Sequence, residues 1–107
     1  MNAWDIYSFQ LPKWPEPHPA VIVSHPQRMA NKPEVNVLIC SSKRTGRAPE
    51  GNEVILDEND GLDWPTLCRC DLLHSIEKAH LQKYRGHVTP ERRRQIIAAI
   101  NRSNGWI

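Results

Sequence analysis

In the segment "DWPTLCRCDLLHSIEK", Asp63 to Lys78, two opposite charges alternate with two cysteines. Read as an extended strand, the segment points successive side chains to opposite faces. Cys68, Cys70 and Leu72 then share one face, and Arg69 and Asp71 stand side by side on the other. That arrangement suits a surface ion pair, a thiolate metal site or an acid/base couple. With Cys40 the cysteines number three, an odd count set in apolar segments, which points to free thiols in a reducing compartment. A zinc site would need a further ligand from His18, His25, His74, His80 or His87, and Cys-x-Cys is not the usual knuckle spacing. Neither a metal nor a cofactor is expected, and a metal or redox site at Cys68 and Cys70 stands as a weaker alternative.

Other residue types with chemical potential sit in loops. "LPKWPEPHP", Leu11 to Pro19, has four prolines in nine residues and must be an extended connection, because proline fixes φ and lacks a ladder donor. Its Trp14 has little core available, so it serves as a lid over a site, a stacking platform for a base, or a dimer contact. Trp4 and Trp106 read as core or interface residues. His74, two residues before Ile76, reads as a surface or packing histidine, and His25, His80 and His87 receive no role. The formal net charge is only +2, yet Glu53, Asp57, Glu58, Asp60 and Asp63 fall in an acidic stretch followed by a mostly basic final third. A basic face for nucleic acid and a solvated helix face both account for this distribution.

The elements that must hold these residues are short. Apolar runs suggest strands over Asp5 to Gln10, Ala20 to Ser24, Val35 to Cys40, Glu53 to Leu56 and Leu67 to Ile76, the last bent midway. "SSKRTGRAPEGN" reads as a polar, basic loop and "DENDG" as a turn. "EKAHLQKY" reads as about two helical turns. Thr89 is an N-cap candidate with Pro90 at the first helical position, and the helix continues to Ser103 with Ile96, Ile97 and Ile100 on its apolar face. With 107 residues, 39% hydrophobic and 24% charged, residues 1–107 read as one globular domain, a small barrel or sandwich closed by a C-terminal helix. The apolar runs are too short to span a bilayer and the N-terminus lacks signal-peptide character, so a cytoplasmic location with no membrane association is expected.

The order "HPAVIVS", "VNVLICSS", "EVIL", "DGL" and "CRCDLLHSIEKAHLQKYRGHVTPERRRQIIAAI" resembles the PemK/MazF toxins of bacterial toxin–antitoxin modules over roughly Asp5 to Ile100. The resemblance implies a mainly β fold, a small SH3-like β-barrel of the PemK/MazF/CcdB type with a C-terminal α-helix. It also implies a homodimer, an antitoxin protein as partner, and metal-independent cleavage of single-stranded RNA. Arg69 and Asp71 match the arginine and aspartate of the family's "RCD" segment, which implies phosphate binding and proton donation by Arg69 and proton removal from a 2′-hydroxyl by Asp71. Ser41 falls where the family has a threonine, and Ser42 matches the following serine. His18 stands in place of the arginine of an "RP" motif and offers an alternative proton donor. On the same basis Trp14, Ser42, Lys43, Arg44 and Arg47 are expected to bind RNA. A different class, a non-catalytic barrel that binds a protein or nucleic acid as the CcdB type does, is the alternative.

Overall fold

β-branched and aliphatic runs, broken by proline- and glycine-containing connections, place most of the chain in antiparallel strands. The computed structural model describes residues 1–10, 12–42 and 48–106. In order these form β1 (Asp5–Phe9), β2 (His18–Ile22), α1 (Pro26–Asn31), β3 (Glu34–Ser42), β4 (Glu53–Leu56), β5 (Thr66–Arg69), β6 (His74–Glu77), β7 (Leu81–His87) and α2 (Pro90–Ser103). The strand order is β4-β5-β3-β2-β1-β7, with β6 paired to β3 off this path. Register shifts in the β1–β7 ladder, between Ile6 and Tyr7 and again between Tyr7 and Phe9, help bend the sheet into the expected mainly β barrel. Among the described residues no helix is long and apolar enough to cross a membrane.

Strand alternation divides the apolar side chains between two faces. Ile6, Val21, Leu38, Cys40, Val54, Leu56, Cys68 and Cys70 form one core with Ile96 and Ala99 of α2. Ala20, Ile22, Val35, Val37 and Ile39 form the other with Phe9, Met29 and Leu81, and Trp14 and Ile76 pack against it.

The acidic turn anchors the helix. Asp57 and Asp60 form a reciprocal capping box around the 3₁₀ turn Glu58–Asp60. The buried Asp60 accepts from the Asp57 and Thr89 backbone N–H groups at 3.0 and 3.1 Å, so one carboxylate holds both the turn and the start of α2. Arg92 of α2 donates to the Ile55 carbonyl and, at 2.8 Å, to Asp57. Arg85 pairs with Asp63 at 3.7 Å, Arg93 donates to the Val88 carbonyl at 2.9 Å, and Arg102 donates to the Gly51 carbonyl at 3.1 Å. Much of the charge asymmetry in the sequence is therefore used within the fold.

The structure departs from the sequence reading at several points. "EKAHLQKY" is a 3₁₀ turn, Lys78–His80, leading into β7. Among the described residues this strand pairs with β1 alone and leaves Gln82, Lys83 and Tyr84 exposed, so it lacks period-2 alternation and carries good helix formers. α1 was not expected; His25 caps it by accepting from the Gln27 N–H at 3.1 Å, with Pro26 at the first position. On α2 the buried positions are Ile96 and Ala99, with Ile100 packed beside them, while Ile97 is 48% exposed. Trp106 is 65% exposed and belongs to neither core, whereas Trp4 packs against the first. The Thr89 cap is present, its side chain accepting from the Arg92 N–H at 3.4 Å.

One contact in this frame leaves no room for a side chain. A Cβ at Gly86 would lie 2.1 Å from the Asp60 carbonyl oxygen and 3.0 Å from Gly61 Cα. Gly86→Ala is expected to destabilise the protein by about 1–3 kcal/mol, the usual range for forced overpacking. Denaturant unfolding tests this, and an unchanged midpoint would mean that β7 and the 3₁₀ turn do not abut.

Candidate active site

The site is built where β3 changes partners. Along one edge, β3 pairs first with β6 and then with β5: Val37 lies opposite His74, and Cys40 opposite Cys68. Three residues along β3 thus correspond to six along the neighbouring chain, which loops three out of both ladders. Cys70 is buried and donates its N–H to the Asn52 carbonyl at 2.8 Å, so it stays with the β4 side. Asp71, Leu72 and Leu73 are the exposed residues of the loop. Leu72, at 59% exposure, does not join Cys68 and Cys70 in the core as strict alternation requires.

Register places the neighbouring functional residues on one sheet face. Ala20 pairs with Ile39, so His18 projects from the Ala20 face of β2 at the Ser41 end of β3. Ser41 shares the face of Ile39, and Arg69 shares the face of Leu67, which pairs with Ser41. A cavity of about 220 Å³ lies here, lined by Trp14, Ile39, Arg69, Asp71, Leu72 and His74. It is smaller than the roughly 300–1,000 Å³ of sites that enclose a drug-sized ligand, so it suits one base or one sugar-phosphate unit of a longer chain. Its floor and walls are apolar, and its polar groups can bind or transfer a proton.

Arg69 and Asp71 approach only to 3.9 Å, with side chains 60% and 38% exposed. Such a loose, hydrated pair contributes at most about 1 kcal/mol and leaves the guanidinium donors open to another anion. Trp14 is held by the Gln10 side chain, which donates to its carbonyl at 2.6 Å. Its indole lies against the His18 ring with centroids 3.9 Å apart and planes tilted by 56°. His18 Nδ1 is 3.0 Å from the Cys40 carbonyl oxygen. A carbonyl only accepts, so this bond requires Nδ1–H and leaves Nε2 as the second ring nitrogen.

Of the residues expected from sequence, Trp14, Arg69 and Asp71 converge on the cavity. His18 reaches it through Trp14, and Ser41 lies on the same face outside the lining. Ser42 alternates to the opposite face, so it is not brought to the cavity. Lys43, Arg44 and Arg47 lie outside the described residues. His74, read from sequence as a packing or surface residue, lines the cavity. The signal lay in its spacing from Arg69 and Asp71, which acquires meaning only once the three-residue loop is known.

The cysteines take no part in this face. All three are free and buried, and no cluster with metal-ligand character occurs among the described residues. Hydrogen bonding with Cys40 holds the Cys68 thiol well above its usual range, helped by burial. Hydrogen bonding with Cys68, with burial, raises Cys70 likewise.

The sequence profile of the PemK-like, MazF-like toxins of type II toxin–antitoxin systems matches residues 2–103. No curated protein matches the chain by sequence. Among solved structures, the chain is similar to the Mycobacterium tuberculosis toxin MazF-mt6, at 21% identity and a TM-score of 0.79, covering 94% of this chain and 96% of that one. A mycobacterial endoribonuclease in complex with its cognate antitoxin matches at 21% identity and a TM-score of 0.84, covering 100% and 97%. A Deinococcus radiodurans MazE-MazF structure matches at 12% identity and a TM-score of 0.75, covering 98% and 95%.

The raised thiols set a pH dependence. Above about pH 9 the unfolded chain loses thiol protons that Cys68 and Cys70 retain when folded, so the unfolded state binds fewer protons and stability falls. The loss approaches about 1.4 kcal/mol per pH unit for each such thiol. Denaturant unfolding at pH values on either side of this point measures it, and a Cys68→Ala, Cys70→Ala double variant should lose most of the slope.

Proposed function

Because this chain belongs to the PemK-like, MazF-like toxins of type II toxin–antitoxin systems, we propose that it is an endoribonuclease that cuts single-stranded RNA without a metal. The observation that carries this reading is the convergence of Arg69, Asp71 and Trp14 on one small cavity. The 2′-hydroxyl attacks the adjacent phosphate, the bond to the 5′-oxygen breaks, and the products end in a 2′,3′-cyclic phosphate and a 5′-hydroxyl. Asp71 takes the 2′-hydroxyl proton as general base. Arg69 holds the phosphate and stabilises the charge that develops on it, for which its planar fork of donors is suited. Trp14 stacks a base at the cavity wall. His18 assists by fixing the indole between its own ring and the loop, and Ser41 donates to a phosphate oxygen from the same sheet face.

The chain acts in the cytoplasm as a homodimer, and a cognate antitoxin protein restrains it. The structural likeness to an endoribonuclease bound to its antitoxin supports that partner class. Size measurement of the purified protein, alone and with the product of an adjacent small reading frame, tests both associations.

Incubation with mixed-sequence single-stranded RNA in excess chelator tests the activity. Cyclic-phosphate fragments are expected from the wild-type protein. Asp71→Asn should reduce the rate by about 10²–10⁴-fold, the range for a lost general base, and Arg69→Ala should weaken both RNA retention and cleavage. RNA that is bound but left whole would favour the non-catalytic barrel.

A further inference from the structure

The departing 5′-oxygen needs a proton donor, and neither Arg69 nor His18, the two that the resemblance offers, suits that role. Arginine is a poor candidate because a guanidinium keeps its proton throughout the accessible pH range. His18 has Nδ1 committed to the Cys40 carbonyl and its ring covered by Trp14, and it is not among the residues that line the cavity. His74 differs on each point. It lines the same cavity as Arg69 and Asp71, it is only partly buried, and its side chain makes no hydrogen bond or ion pair with any described residue. Its backbone is fixed by pairing with Val37, immediately beyond the three-residue loop that carries Asp71. The ring is therefore anchored at its base and free at its nitrogens.

From this geometry we infer that His74 is the general acid of the reaction, protonating the 5′-oxygen as it leaves. The inference rests on the ribonuclease reading above and adds a residue to it. One proton passes from the 2′-hydroxyl to Asp71 as the new oxygen–phosphorus bond forms. A second passes from the His74 imidazolium to the 5′-oxygen as the old bond breaks. Exchange with water then returns Asp71 to carboxylate and His74 to imidazolium. Imidazole suits this role because it holds and releases a proton near neutral pH. The ionisable groups facing His74 are Arg69 and Asp71, with His18 behind Trp14.

The test compares an ordinary RNA oligonucleotide with one whose scissile 5′-oxygen is replaced by sulfur, a leaving group that departs without a proton. His74→Gln should cut ordinary RNA about 10²–10⁴-fold more slowly than wild type, yet cut the thio-substituted RNA within a few-fold of wild type. It should retain RNA binding and lose the alkaline limb of the wild-type pH–rate profile. His74→Asn should behave alike, with both variants shown to be folded by thermal melting at the wild-type midpoint. Equal losses on both substrates would overturn the assignment and leave His74 a binding or structural residue, as would sulfur rescue of His18→Gln in its place. Normal cleavage by His74→Gln would overturn it alone, whereas failure of the wild-type protein to cut either RNA would overturn the ribonuclease reading with it.

Discussion

The hydrogen-bonding edge of β3 is the constraint on which the rest depends. A strand edge pairs each of its residues once, yet two successive strands, β6 and β5, use this edge. The chain linking β5 to β6 is longer by three residues than the segment of β3 it spans, so it must leave the sheet. That excess creates the exposed Asp71–Leu73 loop and opens the cavity above Ile39. It also brings Arg69, Asp71 and His74 together although one precedes the loop, one lies in it and one follows it. The site is thus a consequence of pairing, and not of a dedicated binding element.

Opposite this fork, a proline-rich connection supplies the remaining wall. Proline restricts the backbone before any contact forms, so Trp14 and His18 lose less conformational freedom on taking up their positions. The Gln10 side chain and the His18–Cys40 bond then hold the connection against the sheet. Charge follows a similar economy. Arg92, Arg85 and Arg102 meet partners in or beside the acidic region, while Arg69 keeps only a loose contact with Asp71. Of these four arginines, the one at the cavity is the most loosely held.

Legibility from sequence followed the strength of local signals. β4 matches its expected bounds, the N-cap at Thr89 is where Thr-Pro predicts it, and the inward cysteines follow from alternation. β7 was missed because only Leu81 and Gly86 are buried along it. A mostly exposed edge strand has no alternating pattern to read. α1 was missed because six residues between two prolines are too few to show a helical period, and its cap is a histidine. At the site, Arg69 and Asp71 were legible because they stand two residues apart. His74 was not, because its place there depends on β6 pairing with a distant strand.

One further property follows from the alternation in β5. Its inward residues, Cys68 with Cys70 just beyond the strand, are sealed in the core under α2, whereas Arg69 and Asp71 are exposed. Substituting the outward pair leaves the packed interior intact, while substituting the inward pair does not. Chemistry and architecture can therefore diverge at different rates within one short segment. A lineage can alter or shed its reaction and still inherit the barrel, so the buried alternation records descent, and the exposed residues between record what selection has done with it.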